Sequence, residues 1–391
     1  MASTSQKQTQ NFCPGRNSFQ ASDISETATI AKSNQFRHPS TMMKLGFQGW
    51  FLLEPYTGIG QHSIGLLRAL AKQKSVTCTV PVPKKTKIEG IPSSWLKVLK
   101  PKSWIPSRGL KKWYWEAVQV PQFFEKQSLD WEYYPYPCPI PKYSPTLRAL
   151  TVHDLIAWQD PRYTPSKLKS VYYRFARHSI VRADQIFTVS QTVKEELGLP
   201  NAKVIYNAAP PAPKKSTASP HPSSLVYLGG FDIRKNVPLL LEAYKKVRNY
   251  HPDLNLVLIG QPHFKSRYYP EVKKAPGVIL AGALPPGKVH ALLKDSFAFV
   301  HFSDSEGFNI PLLEAMTVGT PAIVADIKIN REISANKALF IRPSHPKDLL
   351  DIIEKLKNEK TRQSVVKKQK ERARDFSWER SAKELLQTLK Q

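Results

Sequence analysis

At 391 residues the chain has room for two large α/β domains and is too long for a lone small binding module. No apolar stretch approaches the roughly 18 to 20 residues that cross a bilayer, and Cys13, Cys78 and Cys138 lack the spacing of a disulfide framework or a cysteine metal site, so membrane-spanning and disulfide-scaffold classes are excluded and a cytoplasmic setting fits. Lys and Arg number 58 against 31 Asp and Glu, and the formal charge of +27 predicts anionic partners without choosing among nucleotide, nucleic acid and lipid headgroup.

Residues 1–41 are rich in Ser, Thr, Gln and Asn with neither strand nor helix periodicity, which predicts a leader unable to pack, or a start placed ahead of Met42 and Met43. From Lys44 a short strand runs into Thr57-Gly58-Ile59-Gly60, after which Ile64, Leu66, Leu67, Leu70 and Ala71 recur at helical spacing. Val80–Val82 reads as a strand, and Leu147–Val152 as another that ends at His153-Asp154. Helix Tyr172–Val181, strand Gln185–Val189, a helix over Thr192–Leu197 capped by Ser190, and strand Lys203–Tyr206 follow. Five prolines between Asn207 and Ser224 mark a linker.

Beyond it the pattern restarts. Strands are predicted at Leu225–Leu228, Leu254–Ile259, Val278–Ala281, Phe297–Phe302 and Pro321–Ala325, with helices at Val237–Tyr250, Gly287–Lys294, Pro311–Val318, 346–356 and 377–389. Strands alternating with helices twice over imply an α/β protein of two Rossmann-like, doubly wound domains facing across a cleft, 42–207 and 225–376, joined by linker 208–224 and followed by a terminal helix 377–391. Ligands of such sheets bind at the carboxyl ends of the strands, so the site is expected in the cleft.

The stretch from Phe299 to Pro321, containing Glu306-Gly307-Phe308-Asn309-Ile310-Pro311 and Glu314-Ala315-Met316, resembles the paired-glutamate motif of the retaining GT-B glycosyltransferases of group 1, family four. Leu225 to Asn236, with Gly229-Gly230 and Arg234-Lys235, is similar to that family's phosphate-binding element. Thr57 to Gly60, Thr151 to Leu155, Ala183 to Ser190, Ile205 to Asn207 and Phe376 to Glu379 add agreement over nearly everything after Met43. Asn309 stands where the family usually has Gly or a small residue, so its side chain is expected to touch the sugar or narrow its pocket; Asn207-Ala208 replaces a common Asn-Gly.

The resemblance implies transfer of a hexose, mannose or glucose favoured, from a nucleotide diphosphate sugar to a glycan or lipid-linked acceptor with retention of configuration. It places Glu306 and His153 at the sugar and Glu314 on the ribose hydroxyls. The residues themselves add reasons. No Asp-x-Asp pair occurs, so Arg234 and Lys235, after a strand and glycine turn, are the cations for a departing diphosphate, and neither a metal nor a cofactor beyond the substrate is expected. Pro311 suits a first helical turn, which leaves the backbone N–H groups of Phe308, Asn309 and Ile310 for an anion, while Gly58 and Gly60 permit close approach of backbone to donor. Glu314 falls in an apolar run, where an unpaired carboxylate is costly, so a partner such as the ribose is expected. No carboxylate nucleophile is evident in the first domain, which favours a front-face displacement over a covalent glycosyl enzyme.

Between Lys84 and Lys126 ten cations are interleaved with Trp95, Trp104, Trp113, Tyr114 and Trp115. This segment suits an anionic membrane surface, with peripheral attachment at an inner membrane face; the alternative is an amphipathic helix whose aromatics fill the core. Two other readings of the whole chain remain: a nucleotide-sugar epimerase of the same architecture, and a basic nucleic-acid-binding protein, against which stands the lack of any recognised nucleic-acid motif.

Overall fold

The computed structural model describes residues 42–163, 166–210, 223–260 and 269–391. The leader 1–41 and most of the expected linker lie outside them. Two parallel sheets account for every strand among the described residues. The first contains β1 (Met43–Phe47), β2 (Val76–Val82), β3 (Leu96–Val98), β4 (Trp131–Tyr134), β5 (Leu147–Val152), β6 (Gln185–Thr188) and β7 (Lys203–Val204), in the order β3-β2-β1-β4-β5-β6-β7. The second contains β8 (Ser224–Leu228), β9 (Asn255–Ile259), β10 (Val278–Gly282), β11 (Ala298–His301), β12 (Ala322–Ala325) and β13 (Leu339–Ile341), in the order β10-β9-β8-β11-β12-β13. Each order reverses once, between β1 and β4 and between β8 and β11, and these switch points open the crevices where doubly wound sheets take ligands.

The central strands are buried on both faces, as parallel sheets under helices must be: every residue of β11 and β12 is buried. The terminal helix Trp378–Leu389, capped by the Ser377 side chain, returns to the first domain. There Leu385, Leu386 and Leu389 join the core of Leu66, Leu67 and Leu70. Gly65 makes room for this crossing, since a Cβ on it would lie 2.2 Å from the Trp378 ring. The chain thus ties its two domains twice, through the segment after Asn207 and through this helix.

The basic aromatic segment folds as a run of helix over 108–125, with one wider turn at Trp115–Gln119. Trp95 and Trp115 lie in the core, while Trp104 is 71% exposed. Lys112 corrects the expectation that this segment's cations face outward together: its ammonium donates to Glu116 at 2.5 Å and to the Tyr172 hydroxyl at 2.9 Å, over the rings of Tyr136 and Tyr172. Among the described residues no helix is long and apolar enough to cross a membrane.

Candidate functional site

Both halves of the cleft are built at strand ends. In the second domain β8 runs into a glycine turn, and the short helix Ile233–Lys235 delivers Arg234 and Lys235, closed by Asn236 in the left-handed region at φ 49°. From the neighbouring β11 the chain passes Ser303 to Glu306 and Gly307 and then enters helix Ile310–Val318. Both cations pair with one carboxylate. Arg234 Nη1 lies 2.8 Å from Glu306 Oε2, Lys235 Nζ donates to Oε1, and Arg234 also donates to the Ser305 carbonyl at 2.8 Å. Burial works against charge on Glu306, but Lys235 and Arg234 hold its carboxyl well below the usual range, so it is ionised. Burial also pulls Lys235 down from the ordinary lysine range, and Glu306 opposes that pull.

His301 is fully buried and stacked between Tyr227 and Phe299, with interplanar angles of 10° and 15°. The Asn309 amide nitrogen faces its Nδ1 at 3.4 Å; with Nδ1 as acceptor the ring proton sits on Nε2, 3.7 Å from Glu306 Oε1. Burial lowers its pKa to about 3, so the ring is neutral, and its buried Nε2 makes no hydrogen bond to a described residue.

Asn309 caps helix Ile310–Val318 from φ 68°: its Oδ1 accepts from the Leu312 N–H and its Nδ2 donates to Asn330 Oδ1 at 2.8 Å. This corrects the expected contact of its side chain with a sugar, because the amide is turned into the domain and committed there. What the position presents is backbone: the N–H groups of Phe308, Asn309 and Ile310 donate to no described residue, at the positive end of the helix dipole. Glu314, on the same helix and 3% exposed, has His290 Nε2 3.5 Å from its Oε2, but both ring nitrogens of that buried histidine are without a hydrogen-bond partner among the described residues, so His290 does not satisfy the carboxylate.

In the first domain β5 ends at His153 and Asp154. His153 Nε2 lies 2.8 Å from the Pro135 carbonyl, so it donates there and Nδ1 is left as an acceptor. Behind it stands His62, edge-on at 4.7 Å, with Nδ1 2.8 Å from Asn207 Oδ1 and Nε2 2.9 Å from the Tyr133 hydroxyl, itself 2.5 Å from Thr151 Oγ1. Burial takes His153 down to about 3 and His62 to about 4, so both are neutral at physiological pH. Thr57 caps helix Gly58–Leu70 by accepting from the Gly60 N–H at 3.0 Å. Gly58 faces open space, but Gly60 is a glycine because a Cβ would lie 2.1 Å from the Glu54 carbonyl oxygen, a packing demand within the loop.

The halves touch. A Cβ on Gly307 would lie 1.8 Å from the His153 carbonyl oxygen, Ser190 Oγ donates to the Gly307 carbonyl at 2.8 Å, and the N–H groups of Gln191 and Thr192 donate to Glu332. Asp154 is thereby carried into the field of Arg234: burial raises its carboxyl pKa and Arg234 opposes the rise. His153, Arg234, Lys235, Glu306 and the amides before Ile310 converge on one cleft, with Glu314 on the helix behind them. His62, His290 and His301 are the additions. His62 had a signal, since it shares a helical face with Leu66 and Ala69; the other two are lone histidines in apolar runs. Among the described residues no group of three or more His, Cys, Asp and Glu converges to hold a metal ion.

Comparison with known proteins gives this geometry a context. Residues 210–374 match the family model described as glycosyl transferases group 1. The chain is 28% identical over 251 residues to the O-antigen chain mannosyltransferase RfbU of Salmonella typhimurium, covering 60% of this chain and 66% of that one, just under two thirds of the relative's length. Sucrose-phosphate synthase of Thermosynechococcus elongatus superimposes with a TM-score of 0.68 at 17% identity over 88% of this chain and 98% of its own. HepE of Anabaena, solved in complex with UDP and glucose, does so at 0.66 and 15% over 89% and 99%. The fold is GT-B, and residues 210–374, which include most of the second domain, are similar to the group 1 glycosyl transferases.

Proposed function

We propose that the protein transfers a hexose, mannose or glucose, from a nucleotide diphosphate sugar to a glycan or lipid-linked acceptor, with retention of configuration and without a metal ion. One observation carries this reading: Arg234 and Lys235 from one strand end, and free amides at a helix N-terminus from the next, form a cationic cradle that a single carboxylate only half neutralises. The match to group 1 glycosyl transferases, and a mannosyltransferase among the relatives, supports a sugar nucleotide as its occupant.

In this mechanism the bond between the anomeric carbon and the β-phosphate oxygen breaks as the acceptor hydroxyl attacks from the same face, and the acceptor's proton passes to the departing diphosphate. The leaving group carries away the charge that develops, so the protein must stabilise an anion already half formed. Arg234 offers a two-pronged contact and Lys235 a point charge, both preorganised by Glu306. Glu306 and the Nδ1 acceptor of His153 face the sugar, and Glu314 holds the ribose.

The test is turnover with a panel of nucleotide sugars, followed by anomeric analysis of the product. Lys235→Ala is expected to weaken nucleoside diphosphate binding by roughly 1.5–3 kcal/mol, the scale of a charged hydrogen bond. Full activity of that variant, or loss of wild-type turnover in EDTA, counts against the assignment. Release of an epimerised sugar nucleotide without acceptor turns the reading to an epimerase.

A further inference from the structure

The strongest unexplained feature lies on the first domain, on helix Lys167–Arg182. Its inner face is ordinary: Ala176, Ser179 and Ile180 are buried. Its outer surface is not. Leu168, Val171 and Phe175, spaced three and four apart and so on one stripe, are 55%, 43% and 45% exposed. Trp113 packs edge-on against Phe175 at 6.5 Å between ring centres and extends the stripe onto the neighbouring helix, where Trp104, 71% exposed, leans on Tyr114. Beside the apolar stripe runs a cationic one. On the helix Lys167, Lys169 and Arg174 are exposed and no Asp or Glu accompanies them, whereas Arg162 ahead of it is paired with Asp160 at 2.6 Å and Arg182 at its end donates to the Ile140 carbonyl.

We infer that this face docks on a bilayer surface containing anionic lipid. An apolar stripe of this kind on a soluble domain marks an interaction site. Its chemistry narrows the partner: cations flanking aliphatic and tryptophan side chains match a layer that is anionic at the headgroups and hydrocarbon beneath. A second copy of the chain is disfavoured because it brings two cationic stripes together, and a nucleic acid gives the aliphatic Leu168 and Val171 nothing to bury against. Of the 84–126 segment, Trp104 and Trp113 border this face, while Lys112 is engaged by Glu116 and Tyr172.

The placement has a consequence for the proposed reaction, and that consequence alone rests on the glycosyltransferase reading. Helix Lys167–Arg182 starts on the side of the sheet where β5 ends, and its Tyr172 hydroxyl donates to Glu116 at 2.9 Å beside Lys112 and Tyr136. Docking through its first two turns brings the first domain's side of the cleft to the headgroup layer, where a lipid-linked acceptor presents its sugar.

The full chain is sedimented with phosphatidylcholine vesicles and with vesicles of phosphatidylcholine and phosphatidylglycerol, at low and high salt, without substrate. Binding is expected to the anionic vesicles only and to fall steeply with salt. Lys167→Glu with Arg174→Glu lowers the partition coefficient by at least about 100-fold at low salt, and Leu168→Gln with Phe175→Gln lowers it by about tenfold or more. Tyr250→Gln, at a more exposed aromatic on the other domain, leaves it unchanged. Nucleoside diphosphate binding is measured on every variant and should be untouched, which separates a failure of docking from a failure of the active-site reading. No binding to anionic vesicles at low salt, equal loss with Tyr250→Gln, or a dimer abolished by Phe175→Gln each overturns the proposal.

Discussion

The two walls of the cleft solve the same positioning problem by opposite means. On the second domain Arg234, Lys235 and Glu306 are charged, nearly buried, and held by one another. On the first domain His153 is held by a neutral relay, His62, Asn207, Tyr133 and Thr151, in which no member carries charge at neutral pH. A charged wall is preorganised for an ionic group and is costly when that group's counter-charge is absent. A neutral wall holds a shape at little electrostatic cost and discriminates by fit. On the proposed reading the charged wall meets the diphosphate and the neutral wall the sugar hydroxyls.

The comparison is tested hardest at Glu306. Breaking a buried pair leaves uncompensated charge, so Glu306→Ala should cost about 3–5 kcal/mol of folding stability. Because the loss is electrostatic, a nucleoside diphosphate should restore part of it and raise the variant's melting temperature by more than it raises the wild type's. Equal ligand-induced shifts in both proteins would mean the carboxylate is no counter-charge to the cradle.

The neutral wall responds to pH. Burial holds His62 at about 4 against an ordinary value of 6.5. Below 6.5 the unfolded chain binds a proton that the folded chain refuses, so this contribution to stability is complete above pH 6.5 and is lost as pH falls toward 4. Between pH 7 and pH 5 His62 accounts for about 2 kcal/mol of the decline. His62→Gln should start less stable and fall by about that much less over the interval, read from urea midpoints. Parallel pH profiles would place His62 in contact with solvent or with a charge.

The same division explains what the sequence discloses. The charged wall is written in short contiguous motifs, and the doubly wound class follows from alternation of strands and helices, so both are legible. The central strand β4 is not: its Trp-Glu-Tyr-Tyr carries Glu132 inward, where it pairs with buried Arg148 at 3.4 Å, and a buried ion pair erases the apolar pattern. Helix Glu359–Ala373 escapes because it is polar almost all round and buries little beyond Gln369 and Ala373. Asn309 misleads for another reason. Its left-handed backbone turns the side chain into a cap, and residue type alone does not report φ. The relay behind His153 joins residues 62, 133, 151 and 207, a set that only the folded topology assembles.

The smallest expected effect separates capping from bridging. Thr57 and Ser190 both cap helices at the cleft, and replacing either by Ala should cost about 1 kcal/mol of stability. Thr57 does only that: its hydroxyl accepts from Gly60 and donates to Glu54 in its own loop. Ser190 accepts from Val193 and spends its proton on the Gly307 carbonyl of the other domain, next to Glu306. If contact between the walls aligns the site, Ser190→Ala should lower turnover several-fold while Thr57→Ala, at matched stability loss, leaves it near wild type. Equal turnover in the two variants would mean that the Ser190 bond serves the helix cap alone, and that the walls are brought together by Gly307 against His153 and by Glu332 on the amides of Gln191 and Thr192.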